Sequence, residues 1–319
     1  FQFAALYRAE IIPPIIEATN KMLPAPMSFR LRRWVMDAFY QFMYFEAYGE
    51  NIFTPDFLIN VLLRNARVDE EDVEEPEVNP TSYANIMLDM DLLDDNEYTA
   101  RTFCAMIIKQ AVMKLNLAEP LYPFFFSDSE DIFDFEAKMF LLIKYLKTMM
   151  HQERKRRKPL KKKQQNMLGP ILPPIRDEDF HSIFEKLQES LPPFVQIALI
   201  SVCILFFKYN DPKQGIQMSY QIILDCELPI IGYFGAKMFN SCLKHLKKND
   251  EYENVKDELF SNPDLLKVIE KLFVVTKVFN DQASSMIAAI VNSNVDIINS
   301  TGVELIHILY ELVYDHCVD

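Results

Sequence analysis

The chain has 319 residues, half of them hydrophobic, with 46 acidic against 33 basic side chains and a net charge of −13. That length suffices for two ordinary domains or one extended repeat structure, and the apolar fraction can build a large core. Only six glycines occur, which argues against phosphate-cradling loops, hairpin-rich sheets and dinucleotide-binding turns, all of which consume glycine.

In chain order the hydrophobic spacing is helical. Residues 28–49 place Leu31, Val35, Ala38, Phe39, Phe42 and Phe45 at three- and four-residue steps, between an N-capping Ser28 and Gly49. In "TPDFLINVLLRN" Thr54 caps, Pro55 suits the first helical position, and Phe57, Leu58, Val61 and Leu62 form one face. Residues 68–98 interrupt the pattern: from Asp69 to Glu97 there are twelve acidic residues and no basic one, a composition that reads as an acidic loop. Helices are then expected over 99–116, with Phe103, Ile107, Ala111 and Leu115 inward, and over 130–150, with Phe133, Phe140, Ile143 and Leu146 or residues beside them inward. The carboxylates Asp128, Glu130, Asp131, Asp134 and Glu136 read as a helix start, where negative charge suits the dipole.

Residues 152–176 form the second interruption, basic and then proline-rich, and are expected to be a linker or surface loop between helical halves at 1–151 and 177–319. Beyond it, Asp177 opens another helix. The run Phe194–Phe207, 14 residues long, is too short for a bilayer and reads as a buried core helix, with no membrane contact expected. Further helices are expected at 213–225, 229–248, 251–260, 263–279, 281–292 and 302–316, with Asn249, Asn262-Pro263 and Asn280 as capping signals. "LPIIGYFG" has the look of a short buried strand but continues into a helical pattern. The expected fold is all-α: about a dozen helices, stacked as antiparallel pairs in a HEAT- or armadillo-like superhelix whose repeats are degenerate.

Eight of the ten residues Arg154–Lys163 are basic, while the remainder of the chain holds 25 basic against 46 acidic residues, or −21. A body so acidic repels duplex DNA, and no aromatic residue lies between His151 and Phe180 to interleave with a nucleic-acid face. Arg154, Lys155, Arg156, Arg157, Lys158, Lys161, Lys162 and Lys163, kept extended by Pro159, therefore read as a nuclear-import signal for an import receptor. Nucleic-acid contact is the less favoured reading, and the expected location is nuclear, with shuttling to the cytoplasm compatible.

The cysteines Cys104, Cys203, Cys226, Cys242 and Cys317 have no C-x-x-C spacing, and an odd set in apolar runs suits a reducing compartment. Cys242 and His245 share a helix face, and His316 adjoins Cys317, but this is no finger spacing, so no metal is expected. With no nucleophile-elbow, P-loop, kinase or H-E-x-x-H pattern, neither enzymatic activity nor a cofactor is expected. The segment "EPLYPFFFSDSEDIFDF", 119–135, follows prolines with Tyr122, Phe124, Phe125 and Phe126. These rings read either as a plug between helices or as an exposed anchor patch for a partner subunit.

"RRWVMDAFYQFMYFEAYGENIFTPDFLINVLLR", 32–64, resembles the first two helices of a cyclin box, with Arg33, Asp37, Asn60 and Arg64 in comparable order. "FCAMIIKQAVMKL" and "FDFEAKMFLLIKYL" would follow as its third and fifth helices. The resemblance implies, as the alternative to a non-enzymatic nuclear scaffold or adaptor, two cyclin-box-like domains in a kinase regulatory subunit. Lys109 or Lys114, with Glu136, would then touch the kinase.

Overall fold

The structure is a computed structural model in which residues 33–37, 39–40, 55–68, 100–129, 131–160 and 168–293 are described. Among them every regular element is a helix and there is no strand. The chain divides into two compact units, the first ending at Lys186 and the second running on from Leu187. The division thus falls after 177, and not within 152–176 as expected from composition. The expected helix at 302–316, the acidic loop and most of 28–49 lie outside the described residues; at 33–37 and 39–40 the chain is helical, with Met36 and Phe39 buried.

In unit 1, α1 (Pro55–Ala66) begins on Pro55, where the missing N–H costs nothing, and buries Leu58, Val61 and Leu62. α2 (Ala100–Lys114) is buried nearly all round, polar residues included: Arg101, Thr102 and Gln110 lie inside with Phe103, Ile107 and Ile108. It closes at Asn116, whose φ of 54° lets the Leu117 N–H reach the Ala111 carbonyl at 3.2 Å. That turn starts α3 (Ala118–Phe125), where a loop or helix end was expected. Its prolines are tolerable: Pro120 falls in the first turn, where no intrahelical donor is needed, and Pro123 costs one ladder bond near the end.

α4 (Ile132–Arg157) is capped by Asp131, whose carboxylate accepts the Asp134 N–H at 2.8 Å. It extends a turn and a half past 151. α2 packs against α1 and α4, and α3 against α4 and α1. α5 (Asp177–Leu187) buries Phe180 and Ile183.

Unit 2 starts with α6 (Pro193–Asn210), 18 residues long. It is the one described helix long and apolar enough to cross a membrane by length and composition, and it is packed against α7 and α8. α7 (Pro212–Asp225) follows after Asp211 alone, whose side chain accepts the Gln214 N–H at 3.0 Å. Then come α8 (Pro229–Lys248), α9 (Tyr252–Leu259), α10 (Leu265–Thr276) and α11 (Asn280–Ser293). "LPIIGYFG" is helical, as the first turns of α8. α8 touches α6, α7, α10 and α11. Close approach explains its glycines: a Cβ on Gly232 would stand 2.6 Å from Val275 Cγ2 of α10, and one on Gly215 of α7 would stand 2.6 Å from Cys242 Sγ of α8.

Candidate functional site

The aromatic segment proves to be interior. Phe125 is 1% exposed and Phe124 8%. Phe125 packs on Tyr145 of α4 with ring centroids 5.1 Å apart, and on Phe124 at 5.4 Å. The half-buried Tyr122 donates its hydroxyl proton to Asp179 Oδ2 at 2.6 Å and accepts the Arg176 N–H at 3.0 Å, fastening the start of α5 to α3. Burial, then the bond to Asp179, pushes its phenol well above the ordinary tyrosine range. Phe126, also half-buried, lies 5.1 Å from the Tyr122 ring. Of the expected partner patch, Phe124 and Phe125 are therefore consumed inside unit 1, because α3 turns them onto α4, while Tyr122 and Phe126 are half-buried.

Glu136 is likewise consumed internally. It is 1% exposed and takes two hydrogen bonds from the Arg101 guanidinium, one of them Nη1 to Oε2 at 2.7 Å. The same Nη1 donates to the Ala66 carbonyl at 2.7 Å, tying α1, α2 and α4 together. Arg101 also lies over the Phe140 ring, 3.8 Å from its centroid. Beside this pair Arg67 bridges Asp131 at 2.8 Å and Asp134 at 3.0 Å. The buried Lys138 donates to the Ser127 and Asp128 carbonyls at 3.1 and 2.7 Å. The kinase-contact role that the cyclin resemblance implies for Glu136 is thus not open to it, although Lys109 and Lys114 are exposed on α2.

The basic run is not the extended segment expected. Arg154–Arg157 form the last turn of α4, where positive charge complements the helix dipole. Glu153 organises them, accepting from Arg156 Nε at 2.7 Å and Arg157 Nε at 2.6 Å. These bonds hold its carboxyl at about 2. Arg157 also donates to the Gly169 carbonyl at 2.5 Å, anchoring the proline segment where φ at Gly169 is +69°. Lys158 caps the helix, and Lys161, Lys162 and Lys163 lie outside the described residues. Around Gly169 the chain leaves Leu168 and Leu172 exposed and buries Pro173 and Ile175.

The described cysteines, Cys104, Cys203, Cys226 and Cys242, are free and buried. Burial pushes the Cys203 and Cys242 thiols up to about 12, far from nucleophilic range. Cys242 fills the gap left by Gly215, and His245 bonds Asn249 at 2.9 Å and meets the Tyr209 ring edge-on. Among the described residues no group of three His, Cys, Asp or Glu side chains is placed to hold a metal.

What unit 2 leaves open is a groove of about 580 Å³. Its signal in the sequence is legible only once the helices are paired. Pro193, Gln196 and Ile200 make one stripe of α6, and Met218, Gln221, Ile222 and Asp225 one stripe of α7, each at three- and four-residue steps. The antiparallel α6–α7 hairpin sets these stripes side by side, and residues 187–191 and 226–231 close the ends. The floor is apolar, with Ile200, Ile222 and Ile231 each under 9% exposed, while Glu189, Asp225 and Glu227 stand exposed at the rim. Gln196 fastens the 187–191 turn by donating to the Leu191 carbonyl at 2.7 Å. Lys271 of α10 holds the Cys226 carbonyl at 3.1 Å.

No family model, curated protein or solved structure matches this chain.

Proposed function

We propose that the chain is a non-enzymatic helical scaffold or adaptor subunit of a nuclear multiprotein complex, binding other protein subunits through its helical surfaces. The observation that carries this reading is the unit 2 groove, which combines an apolar floor with a carboxylate rim and is walled by rigid helices. Such a surface suits the helix-in-groove or extended-peptide mode of recognition. In unit 1 the charged side chains that look most chemical in the sequence hold helices together, which supports a structural use of them.

On the finer architecture, we keep stacked antiparallel pairs in a HEAT- or armadillo-like superhelix as the reading: each repeat there touches its sequence neighbours, and α8 meets α6 and α7 before it and α10 and α11 after it. The nuclear address rests on the basic run, whose Arg156 side chain is 70% exposed. An import receptor that grips extended chain would engage Lys161–Lys163 and would require the last turn of α4 to unwind.

Native purification of the endogenous chain with quantitative mass spectrometry, and imaging of its location, tests the proposal. Stoichiometric co-purifying subunits and nuclear signal that is lost when Arg154–Lys158 and Lys161–Lys163 are neutralised are the expected results. Recovery of the chain alone overturns the scaffold reading, and cytoplasmic wild-type protein overturns the address.

A further inference from the structure

We infer that the unit 2 groove takes a lysine- or arginine-bearing segment of a partner protein, anchored by apolar side chains; the inference rests on the scaffold reading and names the chemistry of the occupant. The floor of Ile200, Ile222 and Ile231 asks for apolar anchors, since a polar chain laid there would lose its hydration without gaining partners. The rim sets the sign of what flanks them.

Glu189, Asp225 and Glu227 line the opening, and no lysine or arginine does. Other charges lie nearby. Pro193 at the start of α6 and Leu228 just before α8 line the groove, so those N-termini contribute about +0.5 each, while the C-terminus of α7 at Asp225 contributes about −0.5. Lys271, bonded to the Cys226 carbonyl, adds one positive charge. Three carboxylates outweigh the sum, so the opening stays negative. Asp225 is moreover held toward the rim by Gln221, which donates to its Oδ2 at 2.6 Å. Nucleic acid and anionic lipid surfaces are repelled by this field, whereas a basic segment is drawn to it and oriented by it. The groove's volume accommodates several side chains, matching two or three anchors spaced one helical turn apart.

The test uses the full chain and two fluorescein-labelled amphipathic peptides, one of leucine and lysine and the other of leucine and glutamate, read by anisotropy. The leucine–lysine peptide is expected to bind, and to weaken at least about tenfold with Glu189→Lys, Asp225→Lys and Glu227→Lys combined. The leucine–glutamate peptide is expected to bind only that variant. Because the whole chain is acidic, Glu253→Lys, Asp257→Lys and Glu270→Lys, exposed elsewhere on unit 2, serve as the matched control and are expected to leave affinity within about twofold. Equal weakening by both triple variants would show bulk attraction alone and overturn the inference, as would an unchanged affinity in the groove variant. Should the groove variant melt, Met218→Ala, at a half-buried position, is expected to weaken the leucine–lysine peptide several-fold, and failure to do so is equally fatal. If native subunits still co-purify with a groove variant that binds no peptide, the scaffold reading stands and only the assigned occupant falls.

Discussion

Along α2 and α4 of unit 1 the buried positions include Arg101, Asp134, Glu136 and Lys138, whereas along α6 and α8 of unit 2 the buried positions are apolar or glycine. Both units are helical and of similar size, so the contrast isolates two ways of fixing helices. In unit 1 one guanidinium joins three helices by directional bonds, and the register is set by charge. In unit 2 backbones come close wherever a glycine removes a Cβ, and the register is set by shape. The first should fail when a partner is removed, the second when an atom is added.

The largest effect is expected in the aromatic plug of unit 1. Tyr122→Ala with Phe125→Ala removes a ring that is 1% exposed and the hydroxyl that links α3 to α5. Truncating one core phenylalanine costs about 3–5 kcal/mol. A denaturant titration of the double variant should lose the unit 1 transition in whole or large part. A wild-type melt together with a lost complex would restore the rings as partner anchors.

Next comes the ion pair. Glu136→Ala strands Arg101 inside the unit without its counter-charge, and breaking a buried pair this way costs about 3–5 kcal/mol. Replacing both, Arg101→Met with Glu136→Leu, should recover most of that loss, because the desolvation cost of the charges disappears with them. Hydrogen exchange in α2 and α4 would report the loss and the recovery. If the double replacement is as unstable as the single one, the pair is not what fixes these helices.

Unit 2 supplies the mirror experiment. Gly232→Ala pushes a methyl to within 2.6 Å of Val275 Cγ2. Overpacking costs about 1–3 kcal/mol, against a helix-propensity gain of about 1 kcal/mol. A net loss is expected, relieved by Val275→Ala and confined in hydrogen exchange to α8 and α10. A stabilised variant would mean that the helices have room and that shape does not set their register.

The same contrast explains what was legible beforehand. Helices α7, α8 and α11 were readable to within a residue or two, because Pro212, Pro229 and Asn280 mark their starts and the apolar period runs unbroken. The phase of α4 was legible only in part: Leu146 is buried as its spacing predicts, yet Phe133, Phe140 and Ile143 are half-buried while Asp134, Glu136 and Lys138 are inside. The partner that reverses the expectation, Arg101, sits 35 residues away in sequence, and no local pattern announces it. α3 was hidden by its prolines, and the basic run by the assumption that a proline at 159 governs the residues before it. The groove depended on pairing two stripes from different helices, which periodicity within one helix does not reveal.

The smallest effect lies at the end of α4, where the charge logic of unit 1 comes to the surface. Glu153 accepts hydrogen bonds from Arg156 and Arg157, and these hold its carboxyl at about 2, below the ordinary glutamate range. A carboxyl whose folded value is depressed contributes its stabilisation above the unfolded value, near 4.3, and loses it as pH falls through the folded one. The stabilisation of the last turn of α4 should therefore decline progressively as pH falls below about 4.3 and be lost as pH falls through about 2. Carbon-detected NMR of the Glu153 carboxyl would give its midpoint directly. The contribution is small because Arg156 is 70% exposed and exposed pairs contribute only about 0–1 kcal/mol, so global stability should barely respond to Glu153→Gln. What should respond is the anchor that Arg157 provides to the Gly169 carbonyl, since the guanidinium is aimed there by Glu153. Faster exchange at residues 168–172 in Glu153→Gln, with α2 and the start of α4 unchanged, is the expected result. A Glu153 midpoint at the ordinary value, or unaltered exchange at residues 168–172, would show that the basic turn is held by the helix alone and that charge sets register only inside the unit.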